Sequence, residues 1–281
     1  MTLDVFISVD MEGIAGITTL RQTFRGTDDY TWGRRLMTEE ANAAIAGAFE
    51  AGADSVVVTD SHGDMGNLLP HELDPRAELV QGTPKTPFSM MTGIGERFSL
   101  AAFIGYHAGA GTSDAILDHT YTGSFTDVRV NGEAWNETHL NAALAGTFGV
   151  PVGLVAGDRA CCDQAEEKLP WIRTVPVKDG YGNRVGRSRS PEVARSEIRE
   201  AIRDVAEYPE RLELFTPSGP FALEVDVINT AVADMCALSP GTERPEARRV
   251  RFDTLEIREL YRCLLTWMNL GQRVAPGYTI E

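Results

Sequence analysis

Short runs of strand-forming residues, each stopping at an acidic or imidazole side chain, recur along the first part of this chain and constrain its fold more than any other feature. Leu3 to Val9 alternates and is rich in β-formers, then breaks at Asp10 to Gly16, where two glycines mark a loop. A long stretch of helix formers follows from Thr31 to Ala51, with Leu36, Met37, Ala41, Ala44, Ile45, Ala48 and Phe49 near helical spacing and Gly52 closing it. Asp54 to Thr59 (DSVVVT) then reads as a buried strand, with Asp60, Ser61 and His62 just beyond it. Leu100 to Tyr106 repeats the pattern and ends at His107, in a loop containing Gly109 and Gly111.

The alternation of strand and helix continues. Thr120 to Trp135 reads as a hairpin, because Asn131-Gly132 is a type I′ turn signal between the VRV and EAW segments. Asn136 can cap a helix running to about Phe148, which puts Glu137 in its first turn. Strands are expected at Val152 to Ala156, Thr174 to Val177, Phe221 to Ile228 and Arg249 to Asp253, and helices at Arg159 to Lys168, Pro191 to Glu207 and Leu255 to Leu270. The fold class is therefore α/β: a mixed sheet with flanking helices in αβα layers, plus a smaller α/β C-terminal part. The Gly/Arg/Ser-rich segment Gly180 to Ser190 is the candidate linker or mobile loop, and the expected division is 1–178 and 179–281.

At 281 residues the chain can bury a sizeable core. A net charge of −15 argues against nucleic acid as a partner, since phosphate binding draws on clustered Lys and Arg; it favours the approach of cationic groups such as peptide amino termini. Met1 to Gly13 lacks a basic leader, and no apolar run approaches the roughly 20 residues that cross a bilayer, so the expectation is a cytoplasmic protein without a membrane partner. Cys161, Cys162, Cys236 and Cys263 form no CxxC pair and read as buried thiols.

Asp10 and Glu12 are separated by one residue, so in an extended segment both carboxylates project to one side. Asp60 and His62 repeat that relation at the next strand end, and His107 stands at a third. Open α/β sheets bind ligands at the carboxyl ends of their strands, so these groups can converge on one crevice. A mixed imidazole and carboxylate set suits Zn²⁺ or Mn²⁺ better than Mg²⁺ or Ca²⁺. Each residue alone has a plainer reading: Asp10 as a turn former, each histidine as a hydrogen-bonded core or surface group. Asp60 is open between orienting a metal ligand and forming a turn. Arg184, Arg187 and Arg189 are open between meeting a substrate carboxylate or neighbouring subunit and simply lying in solvent. His71 and His139 read as surface or packing residues. No GxSxG elbow, GxxxxGK[ST] loop or HExxH string is present, which disfavours serine hydrolases, P-loop NTPases and the commonest metalloproteases.

Ser8-Val-Asp-Met-Glu-Gly13, Asp60-Ser-His62, Gly105-Tyr-His-Ala108 and Val155-Ala-Gly-Asp158, with Met37-Thr-Glu-Glu-Ala-Asn42 and Pro87-Phe-Ser-Met90 between them, together resemble the zinc-dependent D-aminopeptidases, the DppA-like family of M55 metallopeptidases. The resemblance implies two zinc ions per subunit, with Asp10 as the bridging carboxylate and Glu12, His62, His107 and Glu137 completing the ligand set. Glu133, four residues before Glu137, is the competing candidate; Glu137 is the one followed by the helical Leu140-Asn-Ala-Ala143 pattern that the family shows. His119 corresponds to a further histidine acting directly in catalysis, although on the residues alone a structural role stands equally open.

The resemblance further implies a ring-shaped homo-oligomer, a decamer enclosing a chamber, acting on short peptides or amides with an amino-terminal D-residue. A carboxylate and imidazole cluster around two metals would also serve hydrolysis of another amide or of a phosphate ester, and the same fold could persist as a non-catalytic metal-binding assembly protein.

Overall fold

The computed structural model describes residues 2–275. In chain order it contains β1 (Asp4–Val9), α1 (Asp28–Glu50), β2 (Ser55–Asp60), β3 (Glu78–Val80), β4 (Leu100–Tyr106), β5 (Phe125–Val130), β6 (Glu133–Ala134), α2 (Glu137–Gly146) and β7 (Val152–Asp158). There follow α3 (Arg159–Lys168), β8 (Arg173–Gly180), β9 (Gly186–Ser188), α4 (Pro191–Glu207), β10 (Phe221–Val227), α5 (Thr230–Cys236), β11 (Glu243–Glu246), β12 (Arg249–Thr254) and α6 (Ile257–Gly271).

Apolar strands joined through helices can satisfy their backbones only by pairing in parallel. They do so in a seven-stranded sheet of order β3-β2-β1-β4-β7-β8-β9, parallel except for β9. The chain fills one side of β1 first and the other side from β4 onward, so the sheet switches direction between β1 and β4. That is where a crevice opens in sheets of this kind. Side chains alternate across the pleat: Val5, Ile7 and Val9 join the core under α1 and α4, whereas Phe6 faces the opposite core with α2 and α6.

A second, antiparallel sheet of order β11-β12-β10-β5-β6 stands beyond that opposite face. Helix α2 belongs to the core between the two sheets, and every one of its residues is buried. The expected hairpin is β5–β6, with Asn131 and Gly132 both at positive φ, 54° and 82°, as a type I′ turn requires. Its partner across the sheet is β10, about a hundred residues later in the chain.

The segment Gly180 to Ser190, expected as a linker or mobile loop, forms the turn and return strand of an edge hairpin. Lys178 pairs with Ser188, Asp179 with Arg187 and Gly180 with Gly186, so β8 turns back on itself through β9 at the sheet edge. Edge pairing uses backbone groups and needs no apolar pattern, so a run of glycine, arginine and serine conceals it. Arg187 pairs with Asp179 at 2.8 Å and Arg189 with Glu197. Position 178, the expected division point, lies within β8; α4 beyond it packs on α1, and the β5–β6 hairpin before it belongs to the second sheet. No helix among the described residues is long and apolar enough to cross a membrane.

Candidate metal centre

Asp10 and Glu12 leave the end of β1 in a loop pressed against the end of β4. The Asp10 amide donates to Ile104 O and the Gly13 amide to Gly105 O, both at 2.8 Å. This contact leaves no room for side chains. A Cβ on Gly13 would lie 1.9 Å from Tyr106 O, and one on Gly105, whose φ is +71°, would lie 2.2 Å from Asp10 O. The glycines of the SVDMEG and GYHA strings are thus steric requirements of one backbone crossing. Between the two acids Met11 points into the core, so both carboxylates turn to the same side, and both are buried.

Three histidines meet them. His62 Nδ1 lies 2.9 Å from Glu12 Oε2 and 3.4 Å from Asp10 Oδ1, while its Nε2 lies 2.9 Å from Thr23 O. His107 Nε2 lies 3.4 Å from Asp10 Oδ2 and 3.6 Å from Glu137 Oε1, while its Nδ1 lies 3.0 Å from Ala108 O. His119 stacks on His107 with ring centroids 4.1 Å apart and its Nδ1 2.9 Å from Leu117 O. A carbonyl oxygen can only accept, so in each ring the nitrogen facing a carbonyl carries the proton. The other nitrogen is left with a lone pair when the ring is neutral. In His62 and His107 it faces the carboxylates; fixing a tautomer in this way is how proteins prepare metal-binding histidines.

Two groups result. Asp10, Glu12 and His62 bring one donor atom each within 4.8 Å of one another, and His107, His119 and Glu137 do the same. Asp10 reaches toward both, one oxygen to His62 and the other to His107. Glu137 enters from the first turn of α2, where the helix N-terminus favours an anion, and its Oε1 accepts the Tyr121 amide at 2.6 Å. Glu133 is elsewhere: it is exposed and its carboxylate lies 2.7 Å from Lys168 Nζ.

Burial and close charges shift several of these groups from their ordinary values. Burial and the adjacent Glu12 charge push Asp10 up to about 7. Burial also opposes ionisation of Glu12, but the charge and hydrogen bond of His62 outweigh it and hold Glu12 well below the usual range. Burial resists protonation of His107 as well; Glu137 and Asp10 override it and lift His107 to about 9. His62 is raised likewise, against its burial, chiefly by Glu12 and by hydrogen bonds to both acids. His119 moves the other way, lowered by burial and by the neighbouring His107. The site demands positive charge, and protons on His62 and His107 supply it when no cation does. The buried Nε2 of His107 has no hydrogen-bond partner and faces Asp10 and Glu137, an arrangement that suits a donor to an ion. The donor set, imidazole and carboxylate without thiolate, fits zinc.

Comparison with known proteins agrees with this geometry. The sequence profile of the M55 peptidases, described as D-aminopeptidase, matches residues 3–266. The chain belongs to the M55 D-aminopeptidase family. A D-aminopeptidase from Bacillus subtilis (strain 168) is 34% identical over 274 residues, covering 97% of this chain and 99% of that one. The solved structure of the zinc-dependent D-aminopeptidase DppA from Bacillus subtilis, described as a self-compartmentalizing protease, superposes with a TM-score of 0.93 at 34% identity, over 97% of this chain and 99% of that chain.

Several M55 motif residues that do not face the centre buttress it. Ser8 Oγ lies 2.7 Å from both Ser61 Oγ and Tyr106 Oη, locking the ends of β1, β2 and β4. Asn141 Nδ2 donates to Tyr106 Oη at 2.9 Å, and its Oδ1 accepts from Tyr121 and Tyr261 hydroxyls at 2.8 and 2.7 Å, so the network runs on to α6. Asp60 accepts the Leu68 amide at 2.7 Å and the Asn67 side-chain amide at 2.9 Å, and meets His62 only through its backbone N–H at 3.4 Å. Its carboxylate shapes the loop after β2. Asp158 caps α3 and accepts the Ile116 amide at 2.9 Å, bracing the segment that presents His119. His139 is buried and closes a capping box with Asn136; His71 is exposed. Lys178 and Glu40, both fully buried, had no role in the sequence reading, although Glu40 lies within the quoted Met37–Asn42 string. Their signals were faint: Lys178 directly follows the expected strand Thr174 to Val177, and Glu40 lies on the apolar stripe Met37, Ala41, Ala44.

Proposed function

We propose that this protein is a dinuclear zinc aminopeptidase that hydrolyses short peptides or amides bearing an amino-terminal D-residue. The observation that carries the reading is the buried convergence of three carboxylates with three imidazoles, each with one nitrogen tied to a carbonyl, and with the orphaned Nε2 of His107 among them. Asp10 would bridge the two ions, Glu12 and His62 would complete one site, and His107 and Glu137 the other. Zinc bound there activates water and anchors a free α-amino group, the two tasks of an aminopeptidase. His119 stands apart in this scheme. Its Nδ1 is tied to Leu117 O, so its free Nε2 can take a proton from the attacking water and return it to the leaving amine. Asp60 is assigned to loop shaping behind His62.

The substrate's D-configuration rests on the family, and the enclosure that limits it to short peptides rests on the self-compartmentalizing relative. The self-compartmentalizing relative supports a homo-oligomer, and the family resemblance implies a ring-shaped decamer, whose subunit number native mass spectrometry reads directly. Four free, buried cysteines agree with a reducing, cytoplasmic setting.

Matched D-Ala-D-Ala and L-Ala-L-Ala dipeptides, assayed before and after chelation and zinc restoration, test the reading. Cleavage of the D-peptide alone, lost on chelation and regained with zinc, is the expected result; turnover indifferent to chelation would overturn it.

A further inference from the structure

The loop carrying Asp10 and Glu12 is gripped by two fully buried titratable side chains, Lys178 and Glu40, that bond its backbone rather than each other or the donors of the centre. Lys178, inward from β8, donates its ammonium to three carbonyls of that loop: Glu12 O, Ile14 O at 3.0 Å and Ile17 O at 2.6 Å. An ammonium has three donors, so all of them are spent on a single turn of chain. From the other side Glu40 of α1 accepts the Ala15 amide at 2.8 Å, and Ser188 Oγ of β9 accepts the Gly16 amide at 2.8 Å. Successive peptide groups from Glu12 to Ile17 are therefore held by side chains of three separate elements. Lys178 has no carboxylate within bonding distance, so it is not half of an ordinary buried salt bridge. A solvated lysine would do nothing of the kind. Burying one wholly is costly and persists where the charge has a use. Here that use is to freeze a loop while placing a positive charge behind its two acids.

We propose that Lys178 and Glu40 are positioning residues for the metal centre: they fix the 12–17 loop backbone so that the Asp10 and Glu12 carboxylates are preset for zinc. The inference rests on the zinc-site reading above, and it is tested so that the two can fail separately.

Lys178→Met, Glu40→Leu and Glu40→Gln are compared with the wild type by zinc affinity in chelator competition, by amide hydrogen exchange of the metal-free proteins, and by steady-state kinetics. Loss of a residue supporting metal ligands costs about 10- to 100-fold in affinity, expected for Lys178→Met and Glu40→Leu, whereas Glu40→Gln keeps the acceptor for Ala15 and stays near the wild type. In both weakened variants, kcat measured below zinc saturation falls while KM holds. The Ala15 and Gly16 amides exchange faster in them, with the rest of the sheet unchanged. Wild-type zinc affinity in a folded Lys178→Met or Glu40→Leu protein overturns the proposal. Should Lys178→Met not fold, the Glu40 pair decides: Leu and Gln behaving alike overturns it. A wild type that binds no zinc overturns the site reading instead, and with it the purpose assigned to the clamp.

Discussion

Three histidines approach the centre through one nitrogen each, and His119 differs from the others in its electrostatics. His62 and His107 are drawn toward protonation by the acids they face, while His119 is driven toward neutrality. An imidazole stacked 4.1 Å from the His107 ring, with its Nδ1 tied to Leu117 O and its Nε2 free, is suited to move a proton. His119→Ala is accordingly expected to lower kcat by about 10²- to 10⁴-fold, the usual worth of a general acid or base, with zinc content unchanged. Elemental analysis alongside the kinetics checks this: loss of one zinc would make His119 a ligand. Much of the centre was legible residue by residue, because the i, i+2 spacing of Asp10 and Glu12 and the strand-end position of His107 are local properties of sequence. Glu137 was not distinguishable from Glu133 by spacing. What separates them is the direction of the chain at Asn136, where β6 ends outside and α2 starts inside.

Helix α2 carries that distinction at the level of the element. Asn136 accepts the His139 amide at 3.0 Å, His139 Nδ1 answers with the Asn136 amide at 3.2 Å, and the first turn then presents Glu137 beside Tyr121. Asn136→Ala is expected to cost about 1 kcal/mol of stability through the lost cap, with Asn136→Asp recovering most of it, in denaturant unfolding of the zinc-loaded protein. An effect under a few tenths would mean that packing alone fixes the helix start. The long elements were readable because their periodicity is internal: Arg159–Lys168 and Pro191–Glu207 occupy the expected residues. Short edge elements were not. The three-residue strands β3 and β9 bury little, and their only strong signal is a backbone partner elsewhere in the chain. For the same reason the braces of the β8–β9 hairpin, Ser188 on Gly16 and the turn residue Asn183, whose carbonyl accepts the Leu117 amide at 2.8 Å, have no counterpart in the sequence pattern.

For the molecule as a whole, the centre is a concentration of buried negative charge inside an acidic protein, and stability must register it. A histidine whose folded pKa lies above its unfolded value stabilises the fold fully below the unfolded value and loses that contribution as pH rises toward the folded one. His62 and His107 are both raised above 6.5, His107 to about 9, so the metal-free protein loses stability from about pH 6.5 upward. Below that window the buried His139, depressed to about 4, acts in the opposite sense; beyond about 8 Lys178 does, being depressed from 10.5. Between pH 6.5 and 8 zinc competes with fewer protons at each step, so the melting-temperature gap between zinc-loaded and metal-free protein should widen. Thermal scans at both ends of the window measure it, and a constant or narrowing gap would remove protonated histidines from the account.

The pairing of β5 with β10 carries a consequence for the order in which the protein is made. Residues 107 to 137, which carry half of the centre, emerge from the ribosome well before Phe221–Val227, and until that strand arrives β5 lacks its principal hydrogen-bonded neighbour. Tyr261, whose hydroxyl steadies Asn141 and Tyr121 behind Glu137, arrives later still. A nascent chain therefore holds the acids and histidine of its first strands without the frame that closes around them, and hydrolytic competence is deferred until the segment through Tyr261 has been made.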